Sequence, residues 1–204
     1  MISVSGLTIS RGERVLFRDL SFTVGAGEVL ALTGANGAGK TSLLRAMAGF
    51  IPPDAGEVVF AKDFGAAEPD EARGARLHWL GHLDGLKSAR RAREELDFQC
   101  RWLGADTVAI AAAVLRLGLE PLLDLEVRKL SAGQRRRLAL ARLIAAPRPL
   151  WLLDEPLSPL DARWRAEVGV LIQAHVAGGG AVVAAVHDPL PVAARTLDLS
   201  GAAT

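Results

Sequence analysis

The stretch GANGAGKT at residues 34–41 matches the phosphate-binding pattern G-x-x-x-x-G-K-[ST]. Glycines let the backbone approach a phosphate, and successive backbone N–H groups converge on the anion at the positive end of a helix. The lysine reaches the outer phosphates, and the threonine hydroxyl can ligate Mg²⁺. The candidate nucleotide-binding residues of this stretch are Gly34, Ala35, Asn36, Gly37, Ala38, Gly39, Lys40, Thr41 and Ser42.

The sequence on either side of this loop favours the same function. Residues 29–33 are apolar and β-prone, which indicates a buried strand. Apolar residues then recur at helical spacing over 43–48, until Gly49 and the prolines at 52 and 53 end the run. The alternative is a glycine turn that happens to precede a lysine. Because that alternative explains neither the strand nor the helix, phosphate binding is the preferred interpretation.

A second group of chemically useful residues ends the apolar stretch LWLLDE at residues 150–155. Such a stretch is typical of a strand in a parallel sheet, and ligands bind at the carboxyl ends of those strands. Asp154 can therefore hold Mg²⁺ together with Thr41, and Glu155 is placed to orient or deprotonate a water. The alternative is a charged strand end that begins a loop, and the phosphate loop makes it the weaker one.

Composition bounds the class of protein. A length of 204 residues predicts one domain, and a net charge of +1 gives no global field for nucleic acid. Arginines cluster at 90–93 and 135–137, where a solvated face or an interface is favoured over a nucleic-acid site. One cysteine permits no intrachain disulfide, which suits a reducing compartment. We expect no signal peptide and no membrane span, so another chain would supply any span.

The order of elements predicts an α/β fold. Strands over 2–9, 15–17 and 21–24 with tight turns indicate an N-terminal antiparallel sheet, and a strand is expected at 56–60. Residues 62–76 read as a loop and 77–80 as a strand, and the pattern over 88–146 is helical. Buried strands at 150–155 and 181–186, a helix at 161–176 and a last short strand at 196–200 follow.

The stretch LSAGQ at residues 130–134 decides between the remaining classes. Ser131 can cap a helix and offer its hydroxyl to an anion, which by itself is simply a capped helix. Placed shortly before the paired carboxylates, it resembles the signature sequence of the ATP-binding cassette (ABC) ATPases. The stretch PLSPLD at 156–161 is similar to the dimer-contact loop of that family, and VHD at 186–188 is similar to its switch histidine.

The resemblance implies a fold and a mechanism. The fold would be a P-loop NTPase with a RecA-like core, an N-terminal antiparallel β subdomain and an inserted helical subdomain at 88–146, all in one domain at 1–204. Family members pair head to tail, with each ATP between the phosphate loop of one subunit and the signature of the other. The implied catalytic residues are Glu155, Lys40 and His187, of which His187 would contact the γ-phosphate. The implied nucleotide contacts are Ser131, Gly133 and Asp161.

Three positions depart from the common pattern of this family. Ala132 stands where a glycine is usual. An aromatic residue that stacks on adenine is absent, and Arg11 falls near its place, where a guanidinium could stack on a flat ring. His82 stands where a glutamine usually bridges to Mg²⁺. Because Mg²⁺ prefers oxygen ligands, we expect that His82 is not a direct ligand and acts at the joint with the helical lobe.

The chain is also similar to the ATP-binding subunits of the haem exporters of cytochrome c biogenesis, through the stretches LGHLDGLK (80–87), PLWLLDE (149–155) and 177–187. This resemblance implies integral membrane transporter subunits (CcmB/CcmC-like) as partners, only indirect contact with haem, and a peripheral location on the cytoplasmic face of the bacterial inner membrane. The alternatives are a transporter ATPase for another solute and a soluble ABC ATPase that acts on ribosomes or DNA. A P-loop kinase would explain neither Ser131 nor Glu155.

Overall fold

Two β-sheets carry the part of the chain that the computed structural model describes, residues 1–61 and 74–200. Short 3₁₀ helices occur at Glu120–Leu122 and Val127–Lys129. The elements in chain order are β1 (Ile2–Arg11), β2 (Arg14–Val24), β3 (Val29–Thr33), α1 (Lys40–Met47), β4 (Ala55–Phe60), β5 (Leu77–Leu80), α2 (Ala92–Trp102), α3 (Thr107–Arg116), α4 (Ala132–Ala145), β6 (Leu150–Asp154), α5 (Ala162–Ala177), β7 (Ala181–Ala185) and β8 (Arg195–Asp198).

The N-terminal strands form the expected antiparallel sheet, in the order β2-β1-β4. The prediction of two short strands at 15–17 and 21–24 was wrong, because β2 runs without a break through both. Asp19 adopts a φ of 49°, and the register with β1 shifts on either side of the Leu7–Leu20 pair. An Asp residue tolerates the left-handed region better than most residues. The strand therefore bulges at this point and does not end.

The second sheet is parallel and has the strand order β5-β6-β7-β3-β8. All five residues of β6 and all five of β7 are buried. Strands in the middle of a sheet covered on both faces must be apolar throughout, which is why these two read as continuous apolar runs. The α/β class expected from the sequence is confirmed by this sheet and its helices.

Alternate residues of the parallel strands belong to two different hydrophobic clusters. Leu150 and Leu152 pack with α1 and with the antiparallel sheet. Trp151 and Leu153 pack on the other face, with helices α2 to α5. This division follows from the period of two residues along a strand, which turns successive side chains to opposite faces. Helices α2 to α5 therefore share one core, and α1 and the antiparallel sheet share the other.

Residues 88–146 contain fewer helical residues than their sequence pattern suggested. Their helices are α2, α3 and α4, and turns and the two 3₁₀ helices occupy most of the residues between α3 and α4. Asp106 caps α3 by accepting from the Ala109 N–H, and Ser131 caps α4 by accepting from the Gln134 N–H. The side chain of Gln134 accepts in turn from the Ser131 N–H, which completes a capping box. The boundaries of a helical subdomain stay a prediction.

Other boundaries also differ from the sequence prediction. Of the expected loop at 62–76, residues 62–73 lie outside the described residues, and residues 74–76 are helical. Ala75 and Arg76 are good helix formers, so their local preference is satisfied just before β5. Strand β6 ends at Asp154, β7 ends at Ala185, and β8 lies one residue nearer the N-terminus than its predicted start. No helix among the described residues is long and apolar enough to cross a membrane.

His78 is a buried polar residue on the helical face of β5. Its side chain is 3% exposed, and its Nε2–H donates to the carbonyl of Ala146 at 2.6 Å. Burial lowers the pKa of His78 to about 4, and the charges of Arg148 and Arg142 act in the same direction. The imidazole is therefore neutral at physiological pH, and protonating it requires placing a charge in the core.

We predict that acidification destabilises the fold through His78. Between pH 6.5 and about 4 the unfolded chain binds a proton at this residue and the folded chain does not. The free energy of unfolding should fall over that interval, by up to about 3 kcal/mol at 1.36 kcal/mol per pKa unit. Urea unfolding at several pH values measures it. The His78→Gln variant keeps a donor for Ala146 and should show a flatter pH dependence than the wild type, whereas equal slopes would contradict this role.

Candidate nucleotide-binding and hydrolysis site

Three neighbouring strands of the parallel sheet end at the same edge and deliver the candidate site. Strand β7 lies between β6 and β3, and all three run in the same direction. The phosphate loop follows β3, Asp154 and Glu155 come at the end of β6, and His187 follows β7. Because these strands are parallel and adjacent, residues far apart in the sequence meet at one edge.

The phosphate loop has a backbone conformation that requires its glycines. Gly34, Gly37 and Gly39 have φ values of 129°, 82° and 101°, in the region that favours glycine. A Cβ at Gly39 would also lie 3.0 Å from Phe17 Cε1 and 3.2 Å from Leu16 Cβ. Strand β2 therefore packs against the phosphate loop. Helix α1 begins directly after the loop, at Lys40. The first N–H groups of α1 then face whatever anion the loop holds.

Lys40 lies over its own loop. Its side chain is 7% exposed, and its Nζ donates to the carbonyls of Gly34 at 2.6 Å and Ala35 at 3.2 Å. A buried ammonium group needs such acceptors, since it carries three donors and has left bulk water. The positive charge is thus fixed next to the backbone N–H groups of the loop, where the outer phosphates of a nucleotide would lie.

Thr41 and Asp154 form a contact that joins α1 to the end of β6. The Thr41 hydroxyl lies 3.1 Å from each carboxylate oxygen of Asp154. Asp154 is 2% exposed, and burial raises its pKa, although the hydroxyl lowers it and the Glu155 charge raises it again. Burial thus disfavours the carboxylate, and a cation beside it would favour that form.

The oxygen atoms of Thr41 and Asp154 fit Mg²⁺. A hydroxyl and a carboxylate are hard donors, and Mg²⁺ is commonly bound by one or two protein oxygens together with phosphates and waters. The described residues contain no group of three His, Cys, Asp or Glu side chains that could hold a metal ion. The Thr41 hydroxyl and the Asp154 carboxylate could supply two oxygen ligands of such an ion.

Glu155 is held in an unusual backbone conformation. Its φ is 50°, and its N–H donates to the carbonyl of Ala185 at 3.0 Å. A non-glycine residue in this region is uncommon and persists where its surroundings fix it. Its carboxylate lies between two histidines, with Oε1 at 3.0 Å from His187 Nε2 and Oε2 at 3.7 Å from His82 Nδ1. The side chain is 26% exposed, so water can reach the carboxylate.

One cavity collects most of the predicted site residues. It is lined by Arg11, by residues 36–42 of the phosphate loop, and by Glu155 and His187. Arg14 and Leu16 also line it, and the sequence analysis missed both. A terminal nitrogen of Arg14 lies 3.9 Å from the position of a Cβ at Gly37. Arg14 lies close to Arg11 in the sequence, in a short hairpin turn, and this proximity could have identified it as a site residue. The fold places the tip of that turn against the phosphate loop.

The remaining predicted residues do not line this cavity. Ser131 and Asp161 are helix caps, and the Asp161 carboxylate accepts from the Trp164 N–H at 3.0 Å. A Cβ at Gly133 would lie 2.8 Å from the Pro159 carbonyl oxygen, so glycine is required for the close packing of these two segments. The signature residues and the loop before α5 are therefore held against each other, and Ser131, Gly133 and Asp161 lie outside the cavity of their own chain.

Comparisons with known proteins agree with this geometry. The family model for ABC transporters matches residues 17–158. The cytochrome c biogenesis ATP-binding export protein CcmA of Rhodopseudomonas palustris (strain BisB5) is 46% identical over 202 residues, which cover 99% of both chains. The protein of the same name from Rhodospirillum rubrum is 45% identical and covers 92% of this chain and 80% of its own length.

Solved structures show the same fold. An ABC transporter ATP-binding protein from Pyrococcus furiosus has a TM-score of 0.83 at 20% identity, and the match covers 100% of this chain and 99% of that one. A dimeric ATP-binding cassette in a post-hydrolysis state with ADP and Pi has a TM-score of 0.79 at 22% identity, covering 92% of this chain and 88% of its own. Likenesses at this level of identity support the fold alone.

Fold and site thus define an ATP-binding cassette of the P-loop NTPase type. The chain belongs to the ABC transporter family and, within it, to the group of cytochrome c biogenesis ATP-binding export proteins named CcmA. The resemblance drawn from the motifs is confirmed, and with it the ATP-hydrolysing nature of the subunit. The roles of individual site residues stay predictions.

We predict that Lys40→Ala weakens ATP binding strongly, because the outer phosphates lose their fixed cation. A hydrogen bond to a charged group is worth roughly 1.5–3 kcal/mol, which corresponds to about a 10- to 150-fold loss of affinity. Titration with a fluorescent ATP analogue measures it. Lys87→Ala removes an exposed lysine outside the cavity and serves as the matched control. An affinity equal to wild type in Lys40→Ala would rule out this role.

Proposed function

We propose that this subunit couples ATP binding and hydrolysis to haem export, or to release of a haem-loaded chaperone, in cytochrome c biogenesis. The observation that carries the proposal is identity of 46% over 99% of both chains to an export protein of that name. Haem contact would be indirect, since the ATP-binding subunit need not touch the cargo. The partners would be integral membrane subunits of the CcmB and CcmC type, with this chain peripheral on the cytoplasmic face of the inner membrane.

Nucleotide binding would rest on the loop and on Lys40. Residues 36–42 line the cavity, and the Nζ of Lys40 would exchange its contacts with the Gly34 and Ala35 carbonyls for phosphate oxygens. Thr41 and Asp154 would hold Mg²⁺, which neutralises charge on the phosphates when it is bound. Arg11 would lie against the adenine, because it lines the same cavity and a guanidinium can stack on a flat ring.

Hydrolysis would rest on Glu155. Its carboxylate lines the cavity and can accept a proton from a water aimed at the γ-phosphate. His187, whose Nε2 lies 3.0 Å from Glu155 Oε1, would orient the carboxylate and contact the γ-phosphate. Catalysis of this kind depends chiefly on positioning and charge, and the backbone at Glu155 is already fixed by the Ala185 carbonyl.

The signature residues would act on the ATP of a second copy. Ser131 lies outside the cavity of its own chain and presents its hydroxyl at the start of α4. A head-to-tail dimer would place Ser131 and Gly133 of one chain against the phosphates held by the other. Asp161 would lie at the same interface, since its loop packs on Gly133 through Pro159. A solved structure with the same fold is described as a dimeric ABC transporter cassette, which supports the pairing of two copies.

Co-purification and a genetic test distinguish the proposed role in haem export from transport of another solute and from a soluble ABC ATPase. Tagged wild-type chain should retain membrane proteins from its own organism, and disruption of its gene should abolish covalent attachment of haem to c-type cytochromes. Normal c-type cytochromes in the disrupted strain would reject the haem assignment and favour another solute. Ribosomes or DNA recovered in place of membrane proteins would favour the soluble ABC ATPase.

We predict that Glu155→Gln binds ATP normally and hydrolyses it very slowly. The amide keeps the shape of the side chain and loses the base, and general base catalysis contributes roughly 10²- to 10⁴-fold in rate. Phosphate release measures turnover, and gel filtration with ATP should reveal an accumulated dimer. Glu167→Gln, an exchange of the same type on α5, is the control. A wild-type rate in Glu155→Gln would remove this residue from the mechanism.

We predict that Ser131→Arg spares ATP binding by one chain and blocks closure of the dimer. The bulky side chain would fill the place where the hydroxyl faces the phosphates of the partner. Sedimentation with and without ATP measures dimer formation. A mixture of Ser131→Arg with Lys40→Ala should recover part of one composite site, as each variant keeps a different intact face. ATP-dependent dimers of Ser131→Arg alone would refute the sandwich.

A further inference from the structure

We propose that His82 is a positioning residue for Glu155. The inference rests on the proposed hydrolytic role of Glu155 and deepens it. Two imidazoles flank this carboxylate, and each faces a different oxygen: His187 Nε2 lies 3.0 Å from Oε1, and His82 Nδ1 lies 3.7 Å from Oε2. A glutamate side chain has several rotatable bonds, so one contact leaves it free to turn. A second contact at the other oxygen, although longer than a hydrogen bond, favours the orientation in which the carboxylate lies between the two imidazoles.

Helix α4 holds the backbone of His82 in place through hydrogen bonds from Arg136. Arg136 of α4 donates through Nη1 to the Gly81 carbonyl at 3.0 Å and through Nη2 to the His82 carbonyl at 3.1 Å. Its Nε lies 3.2 Å from an oxygen of Asp84, at an angle that makes this contact an ion pair and not an aligned hydrogen bond. The Arg136 side chain is 2% exposed. A guanidinium buried to this degree requires such partners, so the loop at 81–84 is tied to α4.

The imidazole of His82 is exposed to solvent, whereas its backbone carbonyl is held by Arg136. Its side chain is 67% exposed, while the Glu155 side chain is 26% exposed. Removing the imidazole therefore creates no cavity and leaves no buried group unpaired. A change at His82 should act on the site through Glu155, with little effect on the fold. It should act without involving Mg²⁺, whose candidate ligands are the oxygens of Thr41 and Asp154.

The contacts of Arg136 also connect the signature region at the start of α4 with the surroundings of Glu155 in the same chain. The signature residue Ser131 caps the start of helix α4, and Arg136 lies on the same helix. A displacement of α4 would carry the carbonyls of Gly81 and His82 with it, and so move the imidazole relative to Glu155. Engagement of the signature by a second copy would thereby reach the carboxylate of the first copy through Arg136 and His82.

Substitutions at His82 test this inference in the full-length chain, alone and with its co-purified membrane subunits. His82→Ala should lower kcat roughly two- to fivefold, as expected for a solvent-exposed contact to a charged group, and should leave the KM for Mg²⁺-ATP unchanged. The amide nitrogen of His82→Asn is as many bonds from Cα as Nδ1, so this variant should recover most of the rate. His82→Gln carries its amide one bond further and should recover less. Leu83→Ala, an exposed neighbour in the same loop, is the matched control.

A double variant shows whether His82 acts through Glu155. In a Glu155→Gln background, His82→Ala should lower the residual rate no further, since residues that act as a unit are not additive. A wild-type kcat in His82→Ala, an Asn variant no faster than the Ala variant, or a raised KM at unchanged kcat would each overturn the inference. A wild-type protein that does not hydrolyse ATP at all would reject the proposed function itself, and this inference with it.

Discussion

Hydrogen bonding between the adjacent parallel strands β3, β7 and β6 is the constraint on which the site depends. The register pairs Leu32 with Ala185 and Asp154 with Ala185, so the ends of the three strands are level. The phosphate loop, the two carboxylates and His187 follow directly from those ends. A shift of β7 by one residue would turn its side chains to the opposite faces and separate these groups. The fully buried apolar residues of β6 and β7 fix that register.

Electrostatics in the site follows from where each charge is buried. Lys40 is held against backbone carbonyls and Asp154 against a hydroxyl, and neither forms an ion pair within the described part of the chain. Burial raises the pKa of Asp154, which means that a cation at this place stabilises its ionised form. The N–H groups of α1 and the ammonium group of Lys40 favour an anion a short distance away. The fold thus provides a place that favours a cation next to a place that favours an anion, as binding of a nucleotide with its metal ion would require.

The connection between the helical part and the site is polar. Buried or half-buried arginines of α4 make it: Arg136 holds the carbonyls of Gly81 and His82, and Arg142 holds those of Trp79 and Asp84. Polar contacts of this kind are directional, so they fix the loop after β5 relative to α4 more specifically than apolar packing would. Burial lowers the pKa of both arginines, and the negative charge of Asp84 opposes that effect in both cases.

Local sequence determined the parts that depend on near neighbours. The glycine pattern at 34–41 specified the phosphate loop, the apolar runs specified β3, β6 and β7, and Ser131 specified the start of α4, because backbone conformation and capping are set within a few residues. Only the tertiary structure decided which residues distant in sequence lie next to each other. The proximity of His82 to Glu155, the burial of Arg136, the place of Arg14 in the cavity and the continuity of β2 through Asp19 each depend on contacts with segments distant in sequence. No periodicity or spacing carries that information, since it arises from strand order and from the packing of α4 on the sheet.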